Sequence, residues 1–307
     1  MREFAMYQRL HGIVAATHTP FAADGSLNLT AIDRQAEHFA RQHVEAVFIG
    51  GTTGESHSLT LEERLSLAQR WSDACRGSKI RVVVHVGANC LADTRVLAAQ
   101  ADKLRVAAIS ALAPSYFKPK NLTVLIDCCA EVARAAPQTP FYFYDIPSMT
   151  GVQCSMPDFL TQAPDRIPTL TGIKFTNSDL YAFQRTQRVD SERFDILWGI
   201  DEYLLAALAL GGQGAVGSSY NFAAPIYRRL WAAFAAGDLV KARAEQYRSV
   251  QLIELISRFG YMAAAKATMG FLGVDVGEPR LPNSRLTASE QNQLRDSLEE
   301  LGFFAWL

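Results

Sequence analysis

Lys174 sits in an apolar run, Gly172-Ile173-Lys174-Phe175, where solvated lysines are rare. Burial there disfavours the ammonium form, lowers the pKa and leaves an amine able to add to a carbonyl. A structural lysine paired with a carboxylate near a strand end fits the same position, and the lysine alone does not choose between the two. The run Gly50-Gly51-Thr52-Thr53-Gly54-Glu55-Ser56 suits a tight loop whose N–H groups and hydroxyls face an anion such as a carboxylate or phosphate. Tyr144 precedes a proline turn and suits either a general acid/base or a core phenol with a satisfied hydroxyl. Asp201-Glu202 follows a strand end and suits a favoured helix N-terminus. His85, in VVVHVG, reads as a buried, hydrogen-bonded core residue. His18 and His57 lack a ligand cluster at metal spacing, so no metal site is expected. Asp33, Arg34, Glu37 and His38 read as a solvated helix face.

These residues need a scaffold that brings them together. Eight short apolar runs alternate with longer amphipathic stretches: 12–20, 46–51, 80–87, 106–114, 139–147, 169–176, 194–199 and 214–219. Their apolar character is continuous, as in parallel strands covered on both faces. Ile32, Ala36, Phe39 and Ala40 mark the face of the first helix. Thr60-Leu61-Glu62-Glu63 reads as a capping box, followed by Leu61, Leu65 and Ala68 on one face. The pattern predicts a (β/α)8 barrel over residues 1–221. A doubly wound sheet is the competitor, but no GxGxxG follows the first strand. Stretches 222–236, 238–258, 261–272 and 287–301 read as helices, so 222–307 is expected to form a helical segment packed on the barrel as one structural unit. Barrel chemistry belongs at the C-terminal ends of strands, where Lys174, Thr52, Thr53, Tyr144, Asp201 and Ser218 all fall.

The 307 residues are 49% hydrophobic, enough for one large barrel. A net charge of −1, from 30 basic and 31 acidic side chains, gives no electrostatic reason to expect nucleic acid or an anionic membrane as partner. No run approaches a membrane span, and the opening MREFAMYQRLHG has no apolar signal region. Five cysteines at irregular spacings, with no CxxC pair, fit a reduced, cytoplasmic protein. Two glycosylation-like tripeptides, at Asn28 and Asn121, read as chance, with Asn121 opening a helix.

GGTTGE, the Tyr-x-Ile-Pro turn of YDIPSMTG and GIKFTNSDL occur in this order. Jointly they resemble the dihydrodipicolinate synthase/N-acetylneuraminate lyase family of class I aldolases, over essentially the whole chain. The resemblance implies that Lys174 forms an imine with C2 of a keto acid, that Tyr144 relays protons, and that Thr52 and Thr53 hold the substrate carboxylate. Tyr116, in APSYFKP, matches a tyrosine that reaches a neighbouring subunit's site, and homotetramers are implied. Synthases of the family typically carry an arginine where this chain has Met149, and a thioether cannot clamp a carboxylate. Gly199-Ile200-Asp201-Glu202, Gly217-Ser218-Ser219-Tyr220-Asn221 and Thr176 match the sialic acid lyases instead. The resemblance therefore implies cleavage of N-acetylneuraminate to pyruvate and N-acetylmannosamine without metal or external cofactor, with Thr176, Gly199, Asp201, Glu202 and Ser218 binding the sugar. Open beside it stand a sibling aldolase for another 2-keto-3-deoxy sugar acid, a dihydrodipicolinate synthase, and a non-catalytic keto-acid-binding barrel. Asp145 stands where asparagine or histidine is commoner in the family, and Tyr261 and Met262 match too loosely to be assigned to the N-acetyl pocket.

Overall fold

The computed structural model describes residues 8–307; most of the opening segment judged for a signal region lies outside them. Eight parallel strands close in chain order: β1 (Gly12–Ala16), β2 (Ala46–Ile49), β3 (Arg81–His85), β4 (Ala108–Leu112), β5 (Phe141–Asp145), β6 (Leu170–Phe175), β7 (Asp195–Trp198) and β8 (Gly214–Gly217). β8 pairs back to β1, so no edge is left exposed. Each strand is the core of one expected apolar run. The residues at the end of each run leave the ladder and form the loops of the barrel's C-terminal mouth.

Around the barrel lie α1 (Ala31–Arg41), α2 (Leu61–Ala74), α3 (Leu91–Leu104), α4 (Leu122–Arg134), α5 (Pro147–Thr150), α6 (Met156–Gln162), α7 (Leu180–Gln187), α8 (Leu204–Ala209) and α9 (Tyr220–Ala235). Then follow α10 (Leu239–Arg258), α11 (Tyr261–Phe271) and α12 (Ala288–Leu301). None of the described helices is long and apolar enough to cross a membrane.

The continuous apolar character of the strands has a direct cause. Inward side chains such as Val14, Phe48, Val83, Tyr142, Tyr144 and Val216 form one buried cluster inside the barrel. Outward ones such as Val47, Ile109, Phe143, Ile173 and Phe175 join a larger cluster beneath the helices. Both faces of every strand are therefore dry.

Local signals behave as expected at two helix starts. Thr60 caps α2, accepting from Glu63 N while its own N–H donates to the Glu63 carboxylate. Asn121 caps α4 by accepting from Val124 N at 3.0 Å. Helix faces were read less well. In α2 the buried stripe is Arg64, Leu67, Ala68 and Trp71, and Leu61 and Leu65 are only half-buried. In α1, Ala40 is exposed while Gln35 and His38 are buried. The solvated reading of His38 fails because its Nε2 bonds to Asn221 O at 2.8 Å, and Gln35 donates to His18 O at 3.1 Å. Buried backbone carbonyls need donors, and these polar side chains supply them where α1 meets the barrel mouth.

A β-carbon built at Gly172 would fall onto the Asp195 backbone carbonyl of the neighbouring strand. Glycine is what lets β6 and β7 approach there, two residues before Lys174. Gly172→Ala is expected to destabilise the protein by about 3 kcal/mol, read as a lowered denaturation midpoint in urea. A midpoint equal to wild type would show that the strands separate without penalty.

Candidate active site

β5 and β6 pair in parallel with Tyr144 opposite Lys174. Since Phe143, Ile173 and Phe175 face the outer cluster, strand alternation turns Tyr144 and Lys174 inward at the barrel mouth. Lys174 is 3% exposed. Its Nζ lies 3.9 Å from the centre of the Tyr144 ring and 4.0 Å from that of Phe48. Burial holds its pKa below the ordinary lysine value, although Tyr144 and, more weakly, Asp201 favour the charged form. Two aromatic faces stabilise a cation less than water does. The amine is thus easier to deprotonate than a surface lysine.

The Tyr144 hydroxyl meets Thr52 Oγ1 at 3.3 Å, which places the turn after β2 against the same spot. That turn is held from several sides. His85 Nδ1–H donates to Gly50 O at 2.8 Å, Thr19 Oγ1 donates to Gly54 O at 2.6 Å, and Glu55 N donates to Thr52 O at 3.0 Å. Because a carbonyl only accepts, the His85 proton must sit on Nδ1. His85 is buried and held below its ordinary pKa by desolvation, as a neutral core histidine should be.

Across the mouth, Asp201 is buried and its Oδ2 accepts from Ser219 N at 2.8 Å and from the Ser219 hydroxyl. Burial raises its pKa to about 6 against the pull of those bonds. Ser218 Oγ meets the Tyr261 hydroxyl at 2.6 Å. Thr176 Oγ1 is buried without a hydrogen-bond partner among the described residues, and a β-carbon at Gly199 would strike it. Gly199 therefore leaves the room that Thr176 occupies.

A cavity of about 540 Å³ connects these groups. Thr52, Thr53, Tyr144, Lys174, Thr176, Gly199, Asp201, Glu202 and Ser218 all line it. Tyr116 does not. It is 80% exposed and stacks edge-on with Phe117, ring centres 5.0 Å apart, in a loop pinned by Asn89 Oδ1. Among the described residues no cluster of three or more His, Cys, Asp or Glu side chains has the arrangement to hold a metal ion.

Sequence reasoning missed Phe48, which forms the second aromatic wall of the lysine; in sequence it is one more apolar strand residue. Tyr261, at the start of α11, lines this cavity and also a neighbouring one of about 520 Å³, which Met262 lines with it. Only tertiary packing shows that Tyr261 reaches both. Lys266 was also passed over, although a lysine inside the apolar stretch YMAAAKATMGF carries the same signal that drew attention to Lys174.

Comparison with known proteins accords with this geometry. The model of the dihydrodipicolinate synthetase family matches residues 9–301. The chain belongs to that family. It is 39% identical over 279 residues to the N-acetylneuraminate lyase of Gallus gallus, covering 90% of this chain and 91% of the relative. The Mus musculus N-acetylneuraminate lyase is 37% identical over 302 residues, 97% of this chain and 94% of the relative. Among solved structures, the Proteus mirabilis N-acetylneuraminate lyase superposes with a TM-score of 0.93 at 39% identity, covering 96% of this chain and 100% of that one. The lysine-bound DHDPS of Cyanidioschyzon merolae gives a TM-score of 0.88 at 29% identity, covering 95% of this chain and 98% of that one.

In this family member Asp145, left without an account by its sequence, follows Tyr144 and points away from the barrel interior. Its backbone carbonyl accepts from Thr176 N at 2.8 Å and its carboxyl from Asn177 Nδ2 at 3.5 Å. It thereby ties the loop after β6 to the end of β5. Burial raises its pKa from 3.8 to about 7. A carboxyl whose folded pKa is raised favours the folded state at low pH and loses that contribution as pH rises through about 7. Asp145→Asn mimics the protonated form. It is expected to match wild type near pH 4 and to be more stable above pH 7, by at most about 4 kcal/mol, in denaturant titrations across pH. A difference independent of pH would show that Asp145 titrates normally.

Proposed function

We propose that this chain is a Schiff-base aldolase that cleaves N-acetylneuraminate into pyruvate and N-acetylmannosamine, with Lys174 as the imine-forming amine. The observation that carries the reading is the buried, easily deprotonated Lys174 in register with Tyr144, whose hydroxyl meets Thr52. The names and identities of the relatives support the substrate.

In the proposed mechanism the open-chain keto acid places its carboxylate on the Thr52 and Thr53 hydroxyls and N–H groups. Neutral Lys174 adds to C2, water leaves, and a protonated imine forms. Tyr144, acting with the substrate carboxylate, takes the proton of the C4 hydroxyl. The C3–C4 bond breaks and its electron pair moves into the imine, giving an enamine and free N-acetylmannosamine. C3 of the enamine is then protonated, and water hydrolyses the imine to release pyruvate and the amine. The imine is the electron sink, so the scheme uses no external cofactor.

Thr176, Gly199, Asp201, Glu202 and Ser218 line the side of the cavity proposed to receive the hydroxylated remainder of the sugar. Asp201 keeps one oxygen tied to Ser219, so Glu202, half-buried on the cavity wall, is proposed as the freer acceptor for the tail. Met149 is 64% exposed and brings no cation to clamp a second substrate's carboxylate, which counts against the synthase reading. Tyr116 projects into solvent in the single chain, and we propose that it completes a neighbouring subunit's site in a cytoplasmic homotetramer.

Borohydride reduction after separate incubation with pyruvate and N-acetylneuraminate, followed by peptide mass mapping, tests the reading. A pyruvyl adduct on Lys174 is expected from both. An adduct from pyruvate alone would move the substrate to another keto sugar acid, and none from either would overturn the aldolase assignment. Lys174→Ala is expected to lose turnover by about 10⁴-fold or more with an unchanged circular dichroism spectrum; near-normal activity would sink the role. Glu202→Ala is expected to weaken N-acetylneuraminate about tenfold while sparing pyruvate trapping. Equal losses on both would remove its part in the tail site.

A further inference from the structure

Glu55 closes the turn that carries Thr52 and Thr53. Its backbone is left-handed, with φ 53° and ψ 38°, a conformation that residues with a β-carbon adopt reluctantly. Such strain persists only where the surroundings over-determine it, and here they do. The carboxylate accepts from Lys266 Nζ at 2.9 Å, from Arg280 N at 2.9 Å and from Asn283 Nδ2 at 3.3 Å. Both side chains of the Glu55–Lys266 pair are 1% exposed. The ammonium also donates to Glu278 O at 3.2 Å and lies 4.3 Å from the centre of the Phe21 ring.

All three donors to the carboxylate come from the C-terminal segment. The pull reaches the proposed carboxylate site within one turn, because Glu55 N bonds back to Thr52 O. Helix α11 carries Lys266 and, five residues earlier, Tyr261, whose hydroxyl meets Ser218 on the opposite wall of the cavity. One helix therefore holds two walls. Burying an ion pair is a poor way to gain stability alone, since apolar side chains of similar volume do as well or better. A directional pair instead fixes geometry.

We propose that Glu55 and Lys266 are positioning residues for carboxylate recognition: their buried pair locks the left-handed end of the turn onto α11 and so aims the Thr52 and Thr53 donors. The segment 222–307 is then a working part of the site, forming one unit with the barrel. This rests on the proposed carboxylate role of the two threonines.

The test is the concentration dependence of borohydride trapping at Lys174 in Glu55→Ala/Lys266→Met, which removes both charges and leaves none buried alone. Two carbonyl probes are compared: pyruvate, and acetone, which has no carboxylate. The half-saturating pyruvate concentration is expected to rise about tenfold or more, with the acetone value within about twofold of wild type. A general structural defect would move both probes together. Pyruvate saturation near wild type, or equal losses for the two probes, would overturn the proposal. Should the double variant fail to fold, Lys266→Gln, which keeps a donor without the charge, is judged by the same two criteria with a smaller expected rise of about threefold. Absence of pyruvate trapping in the wild type would remove the aldolase reading, and this inference with it; normal trapping in wild type and variant alike removes the inference alone.

Discussion

The site depends on keeping an amine dry without giving it a carboxylate partner. Lys174 is enclosed by a closed barrel, and its nearest company is two aromatic faces, Phe48 and Tyr144. A carboxylate at hydrogen-bond distance would occupy the nitrogen, as Glu55 occupies Lys266 Nζ at 2.9 Å. Aromatic faces compensate a cation only partly, so desolvation remains the dominant influence and the pKa falls. Barrel closure, strand register and side-chain alternation all serve that one condition. They exclude water, bring Tyr144 beside the lysine and turn both inward.

Lys266 is the instructive contrast. It is as well buried as Lys174, yet it lies 2.9 Å from Glu55 and donates to a backbone carbonyl as well. Two settings for a lysine in an apolar run, one facing a cavity and one paired with a carboxylate, are both present in this chain. What separates them is the partner. Burial lowers both pKa values, that of Lys266 to about 8 despite Glu55; the carboxylate ties up the Lys266 nitrogen in holding geometry, whereas Lys174 faces the cavity.

The mouth of the barrel is built largely from side chains that bond to backbone. His85 holds Gly50, Thr19 holds Gly54, His38 and Gln35 satisfy carbonyls at 221 and 18, and Ser219 offers its N–H and hydroxyl to Asp201. Loops carry polar backbone that a buried position must satisfy. These residues supply partners, and so allow loops to be rigid where a ligand must be read. Burial at the strand ends it ties together leaves the Asp145 carboxyl little water and raises its pKa.

Several features were legible along the chain because they depend on near neighbours. Eight apolar runs, their alternation with helices, the capping box at Thr60 and the Asn121 cap are local consequences of hydrophobicity and hydrogen-bonding capacity. The cavity lining was also largely legible, since barrel geometry sends strand ends to one mouth and motifs at those ends must meet. Contacts distant in sequence were not. The burial of His38 depends on Asn221, the aromatic wall on Phe48, and the reach of Tyr261 into the cavity on how α11 packs. The Glu55–Lys266 pair spans 211 positions, and no periodicity relates its members. Sequence alone determined which elements form and which strand ends gather at the mouth, because those follow from local pattern; the partner of each buried charge was decided only by the tertiary structure, because desolvation and pairing are properties of the packed interior.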